Sequence, residues 1–182
     1  MATLATTNIK HASSSSNNIV LNSDGTSYIP GHIIRVVQAS TTTSASNTTT
    51  TFADTNLSGT ITPTSSSSKI LVIVQQQMFF ANNASGTGAG LKLFRDSTAI
   101  YSDPANSTGS YGQFISGGNI TSMNHHFTKV IHILDSPNTT NAITYKTQFA
   151  LYEAGNNGSA IVQNNTSPQN GKSFITFMEV AG

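Results

Sequence analysis

The chain has 182 residues, with 8 Lys+Arg against 7 Asp+Glu for a net charge of +1, no cysteine, and 26 Thr, 25 Ser and 18 Asn. Only 8% of residues are charged, against about a quarter in an average globular domain, and no basic run marks a nucleic-acid or anionic-membrane partner. Without cysteine there is no disulfide framework, Cys-based zinc site or thiol nucleophile, and the longest apolar stretch, Ile70 to Val74, is far too short to span a bilayer.

Met1 to Lys10 lacks the basic start and long apolar block of a secretory signal. Residues 1–30 read as an extended N-terminal arm. Large apolar side chains are rare up to Asn18, then Ile19-Val20-Leu21 meets the turn signal Asn22-Ser23-Asp24-Gly25, and Pro30-Gly31 punctuates again. Such a segment cannot pack a core alone; the alternative is a terminus without fixed structure.

Residues 31–182 read as the folded domain. Apolar residues make up 36% of the chain and fall in short runs between polar, Gly-rich spacers, the pattern of many short strands. No window carries a helical stripe of ten or more residues. The expected strands, in order, are His32 to Gln38, Leu57 to Thr62, Lys69 to Phe80, Leu91 to Arg95 and Thr98 to Tyr101. Tyr111 to Ile115, His126 to Leu134, Ala142 to Tyr152, Ser159 to Gln163 and Ser173 to Val180 follow. The tract Ser40 to Thr51 has nothing to bury and is expected at an edge or in a loop. Asp96-Ser97 joins two of these strands as a hairpin. The fold class is therefore all-β, a jelly-roll-like antiparallel β-sandwich with an extended N-terminal arm.

Ala142 to Tyr152 shows simple alternation, with Ile143, Tyr145, Thr147, Phe149 and Leu151 on one face. Two strands are apolar on both faces. Lys69 to Phe80 sets Ile70, Val72, Val74, Met78 and Phe80 opposite Leu71, Ile73 and Phe79; the last strand sets Phe174, Met178 and Val180 opposite Ile175 and Phe177. A two-layer sandwich covers only one face of each sheet, so the other face calls for a second copy of the chain, or for cover by the chain's own loops. Val74, Met78, Phe80, Phe174, Phe177 and Met178 are the candidate interface residues.

Chemistry is sparse. The seven carboxylates form no close pair. Asp24, Asp96, Asp103 and Asp135 sit beside Gly, Ser or Pro, where aspartate caps its own turn, while Glu153 and Glu179 read as solvated strand ends. His126 and His132 share a strand face, with His125 on the other, but the first two lie roughly 20 Å apart along the strand and cannot bind one metal there. Surface histidines are one reading, a ring of symmetry-related copies the other. Gly86-Thr87-Gly88-Ala89-Gly90 lacks the Gly-Lys-Ser/Thr ending of a phosphate loop, and no Gly-x-Ser-x-Gly elbow occurs. No catalytic residue, cofactor or metal site is expected.

Several segments are similar to a known family. Asn8-Ile9-Lys10-His11-Ala12 through Ser16-Asn17-Asn18-Ile19-Val20-Leu21, then Asp24-Gly25, resembles the opening of marine phage and cyanophage fibre and virion proteins. Ile61-Thr62-Pro63, Ser66 to Val72, Leu93 to Ile100, Tyr145 to Phe149 and Ile175 to Val180 resemble their sandwich domain. The resemblance implies a bacteriophage virion protein, made in the host cytoplasm and placed on the particle surface, whose sandwich forms a homotrimer. It brings no catalytic motif. Three classes of function follow: a capsid decoration or cement protein, a short tail fibre or receptor-binding tip reading host surface glycan, and a polysaccharide hydrolase, for which no carboxylate pair is present. In the first two the arm, through Ile9, Ile19, Val20 and Leu21, is expected to hold the major capsid protein or a tail adaptor by adding a strand to its sheet.

Overall fold

The computed structural model describes residues 6–15, 19–21, 23, 27–29, 31–82, 87–104, 112–115, 123–152, 158–164 and 171–182. They form fourteen strands and no helix. In chain order these are β1 (Asn8–Ile9), β2 (Ile19–Leu21), β3 (Ser27–Tyr28), β4 (Ile33–Thr41), β5 (Ala45–Asn47), β6 (Ala53–Ile61) and β7 (Lys69–Asn82). Next come β8 (Thr87–Arg95), β9 (Thr98–Ser102), β10 (Gln113–Ile115), β11 (Met123–Asp135), β12 (Ile143–Leu151), β13 (Ser159–Val162) and β14 (Ser173–Val180).

Strands β4 to β14 build two antiparallel sheets. In the large one β7 is the spine. On one side it pairs with β14 along Lys69 to Gln75 and with β13 along Met78 to Ala81; on the other it pairs with β11 from Ile70 to Asn82. Outside these lie β4 on β14 and β5 on β13. The small sheet runs β10-β8-β12-β6, with β9 also paired to β8. The chain passes between sheets at β5–β6, β6–β7, β7–β8, β10–β11, β11–β12 and β12–β13. That repeated exchange makes the sandwich jelly-roll-like.

Alternation sorts the side chains. Ile70, Val72 and Val74 of β7, Ile175 and Phe177 of β14, and Leu91, Leu93, Tyr145 and Phe149 of the small sheet meet between the layers, all fully buried. One inward position in β6 is Gly59, where a Cβ would stand 2.7 Å from the Phe177 ring. The missing side chain is what lets that ring lie across the strand.

The interior also holds a polar cluster. The Gln76 amide donates to Ser173 Oγ at 2.9 Å, and Thr147 Oγ1 donates to Gln76 Oε1 at 2.9 Å. The Thr55 and Thr147 hydroxyls meet at 2.5 Å. Gln163, with its amide oriented by these neighbours, donates to the Thr43 and Thr55 carbonyls and accepts from Gln76 and Ser173. Buried polar atoms stay inexpensive only while each has a partner, so the cluster fixes how the two sheets sit over each other.

The carboxylates correct the sequence reading. Asp103 is almost fully buried and accepts from Leu91 N–H at 2.8 Å, Tyr101 Oη at 2.5 Å and Lys129 Nζ at 2.8 Å, which ties β11 to the small sheet. Asp135 takes Arg95 Nη1 on both oxygens, at 2.9 and 3.0 Å, and Tyr145 Oη at 2.8 Å, a second clamp between the layers. Asp96 sits in the β8–β9 turn at φ 51° and accepts from Thr144 N–H at 3.0 Å. Glu179 is not a solvated strand end. It is fully buried and accepts from Thr64 N–H at 2.6 Å, Thr64 Oγ1 at 2.7 Å and Arg35 Nη2 at 3.2 Å. Asp24 and Glu153 lie outside the described residues.

The arm is not a single extended strand. β1, β2 and β3 form a small antiparallel meander, pairing Ile9 with Ile19, Val20 with Asn8 and Tyr28, and Leu21 with Ser27. It joins the sandwich where Gly31 N–H donates to the Ala181 carbonyl and Ala181 N–H donates to the His32 carbonyl, at the end of β14.

Candidate functional site

Four strands lie side by side in the large sheet, and because paired residues project to the same side, their outward side chains form rows across it. The first row is Val36–Met178–Leu71–Leu134, in register from β4 through β14 and β7 to β11. It is apolar throughout and spans roughly 14 Å at about 4.8 Å per strand. Below it lies Ile33–Val180–Lys69; above it lie Gln38–Thr176–Ile73–His132 and Ser40–Phe174–Gln75–Val130. Val36, Leu134 and Ile33 are 56%, 55% and 53% exposed. In these rows the only charged side chain is Lys69, at the rim.

The outward face of the small sheet has a different chemistry. Its rows read Thr60–Thr144, Ser58–Lys146–Phe94 and Asp54–Gln148–Lys92. Lys146 Nζ reaches both Asp54 oxygens at 3.1 Å, Gln148 donates to Asp54 Oδ1 at 2.7 Å, and Lys92 lies 4.0 Å over the Phe52 ring. The Gln148 hydrogen bond, with Lys146 beside it, holds the Asp54 carboxyl below the usual carboxylate range. An open depression of about 290 Å³ is lined by Asp54, Asn56, Leu57, Ser58, Lys146 and Thr147. It forms where β6 bulges opposite Thr147, with Asn56 at φ 65°.

The structure divides the expected interface residues. Val74, Met78, Phe80 and Phe177 are buried inside the single chain. They are core residues and cannot meet a neighbour without unfolding, so this part of the expectation is corrected. Phe174 and Met178 are half-buried on the outward face. Sequence reading passed over Val36, Leu71, Val130 and Leu134 as interface residues, although the apolar runs of β4 and β11 carried the same two-sided signal as β7. In the arm, Ile9, Ile19 and Leu21 share one face of the meander and Val20 lies on the other.

The histidines stand as their spacing required. His125 points inward, its ring 5.1 Å from Phe80 and 5.5 Å from Phe127; His126 lies outward 4.5 Å from the Phe79 ring. No three potential metal ligands cluster among the described residues. Each described carboxylate is engaged in the contacts above, and none faces a second carboxylate.

The chain matches no family model and no curated protein. It is similar to solved particles of infectious bursal disease virus. The virus-derived T=1 particle aligns at TM-score 0.40 with 10% identity, over 86% of this chain and 39% of that one. The Gx strain structure aligns at 0.39 with 11% identity, over 85% and 40%, and the VP2 subviral particle at 0.37 with 11% identity, over 85% and 40%. The chain thus spans about two fifths of their length. Alignments this loose carry no argument, and the sandwich is defined by its own strand pairing.

Proposed function

We propose that the chain is a non-enzymatic virion structural protein, working as a homotrimer that decorates or cements a bacteriophage capsid. The observation that carries the self-assembly is the distribution of exposed large aliphatic side chains. Among the described sandwich residues they are Ile33, Ile34, Val36, Val130 and Leu134, and all lie on β4 and β11 of the large sheet. A contiguous apolar patch of this kind, rimmed by Gln, Thr and Ser, has the make-up of a subunit interface. The centre of the patch is uncharged; its charges are at the margins, where Lys69 ends one row and Lys172 Nζ lies 5.1 Å from the Phe174 ring centroid. The virion assignment and the number three rest on the resemblance of the arm and sandwich segments to marine phage virion proteins. A surface held by apolar and hydroxyl contacts also keeps its strength in variable salt, where ion pairs are screened.

The second reading is a short tail fibre that recognises host glycan. It is favoured by the polar depression at Asp54, Asn56, Ser58 and Lys146, which stays open on the solvent side of the sandwich. Sedimentation of the full chain tests the assembly, and the expected mass is three chains. Counting copies in purified particles separates the readings. A number comparable to the shell protein's supports decoration, and a few per particle supports the tail. Absence from particles overturns both.

A further inference from the structure

A ring of three copies has a symmetry requirement that a two-fold dimer lacks. In a dimer one patch meets itself, whereas in a ring each copy offers one surface and receives a different one. The described residues carry two apolar surfaces. One is the outward face of the large sheet. The other is on the arm, where Ile9, Ile19 and Leu21 project to the same side of the meander, with Ile29 just past the end of β3. Ile9, Leu21 and Ile29 are 43%, 38% and 39% exposed. With the five sandwich residues they complete the set of exposed large hydrophobics among the described residues.

Resting on the trimer reading, we propose that the aliphatic face of one copy's arm seats on the Val36–Met178–Leu71–Leu134 row of the next copy, closing the ring. Three features support the pairing. A sheet of three strands, each two or three residues long, has no core and needs cover to persist. Its three strands span roughly 10 Å, against about 14 Å for the row, at the common inter-strand spacing. The arm also leaves the sandwich at Gly31–Ala181, next to Ile33 and Val180, so each arm starts at the edge of its own patch and is placed to cross to the neighbour's.

The chain has no cysteine, which makes cross-linking clean. Full-length chains carrying only Leu21→Cys are co-expressed with chains carrying only Val36→Cys, and the product is oxidised. In parallel, the full-length variant Ile9→Ser/Ile19→Ser/Leu21→Ser is weighed in solution and its thermal unfolding recorded. The proposal expects mixed dimers linked between the two chain types, and a serine variant whose mass falls threefold while the sandwich still unfolds cooperatively. A serine variant that remains a trimer overturns it and leaves the arm free for the shell. A wild-type chain that is already monomeric removes the trimer reading itself, which is a separate failure. If the wild type is trimeric and the serine variant dissociates but no mixed cross-link forms, the arm acts elsewhere and the seating on this row is wrong.

Discussion

The two outward faces of the sandwich come from the same alternation, yet they prepare for different surroundings. On the small sheet the outward positions of β6 and β12 include Asp54, Ser58, Thr60, Thr144, Lys146 and Gln148, with Phe94 of β8 beside them, and Lys146 pairs with Asp54. On the large sheet the equivalent positions of β4 and β11 include Val36, Val130 and Leu134, with nothing from the described chain over them. A lone exposed leucine means little, but a row of four apolar residues in register across four strands is an apolar patch of the kind found at interaction surfaces. The contrast between sheets teaches more than either sheet alone, because the inner faces of both are buried in the same core.

The comparison breaks most readily if charge is placed on one face and then on the other. Val36→Lys with Leu134→Lys would bury unpaired ammonium groups in any interface there, at a cost of several kcal/mol. Assembly should weaken about a hundredfold or more, by about tenfold per 1.4 kcal/mol. Sedimentation reads this as a shift to single chains with the thermal unfolding of the sandwich retained. The same charge at Ser58 or Thr60 should leave the mass unchanged and stability within about 0.5 kcal/mol.

Variants between the sheets sharpen the contrast by damaging the fold while touching neither outer face. Gly59→Ala puts a Cβ 2.7 Å from the Phe177 ring, an overpacking that costs about 1–3 kcal/mol. Gln76→Ala removes one hydrogen-bond partner each from Thr147, Ser173 and Gln163 inside the buried cluster, at about 1–3 kcal/mol. Both should lower the denaturant midpoint without changing its slope.

Glu179 supplies the acid dependence. Burial raises its carboxyl pKa, but the hydrogen bonds from Thr64 and the Arg35 guanidinium outweigh that and hold it below the ordinary value. A carboxyl depressed in the folded state adds stability that is complete above its unfolded pKa and is lost as pH falls through the folded one. Glu179→Gln should therefore cost about 1–3 kcal/mol near neutrality and flatten the loss of stability below pH ~4.5. Smallest is Lys146→Met on the solvated face, where breaking the exposed pair with Asp54 should cost no more than about 0.5 kcal/mol.

Much of this was legible from alternation. β7, β12 and β14 lie where their apolar residues placed them, and Asp96-Ser97 makes the expected hairpin turn. The sequence of β6 reads as a short strand only from Leu57 onwards because two of its inward positions are not large and apolar. Thr55 belongs to the buried polar cluster and Gly59 makes room for Phe177. Those choices depend on partners nearly a hundred residues away or more, which no local window contains. Glu179 differs from its local reading for the same reason, since Arg35 becomes its partner only when β4 pairs with β14, and Thr64, in the segment just before β7, comes from 115 residues away. The two-sided strands leave apolar side chains on both faces, but a period of two cannot say which side is the core. Val74 and Phe177 went inward, and Leu71 and Met178 remained for the outer row.

Whether another copy covers the large-sheet face can be observed directly, because the chain contains no tryptophan. A single reporter at Val36→Trp in the full-length chain, with Thr144→Trp on the small sheet as its control, can be titrated with acrylamide. If the large-sheet face is buried by another copy, the Val36 reporter should emit at shorter wavelength and resist quenching, then lose that protection as dilution or the arm substitutions separate the chains. A Val36 reporter as quenchable as the Thr144 control, in undiluted full-length protein, would contradict the account.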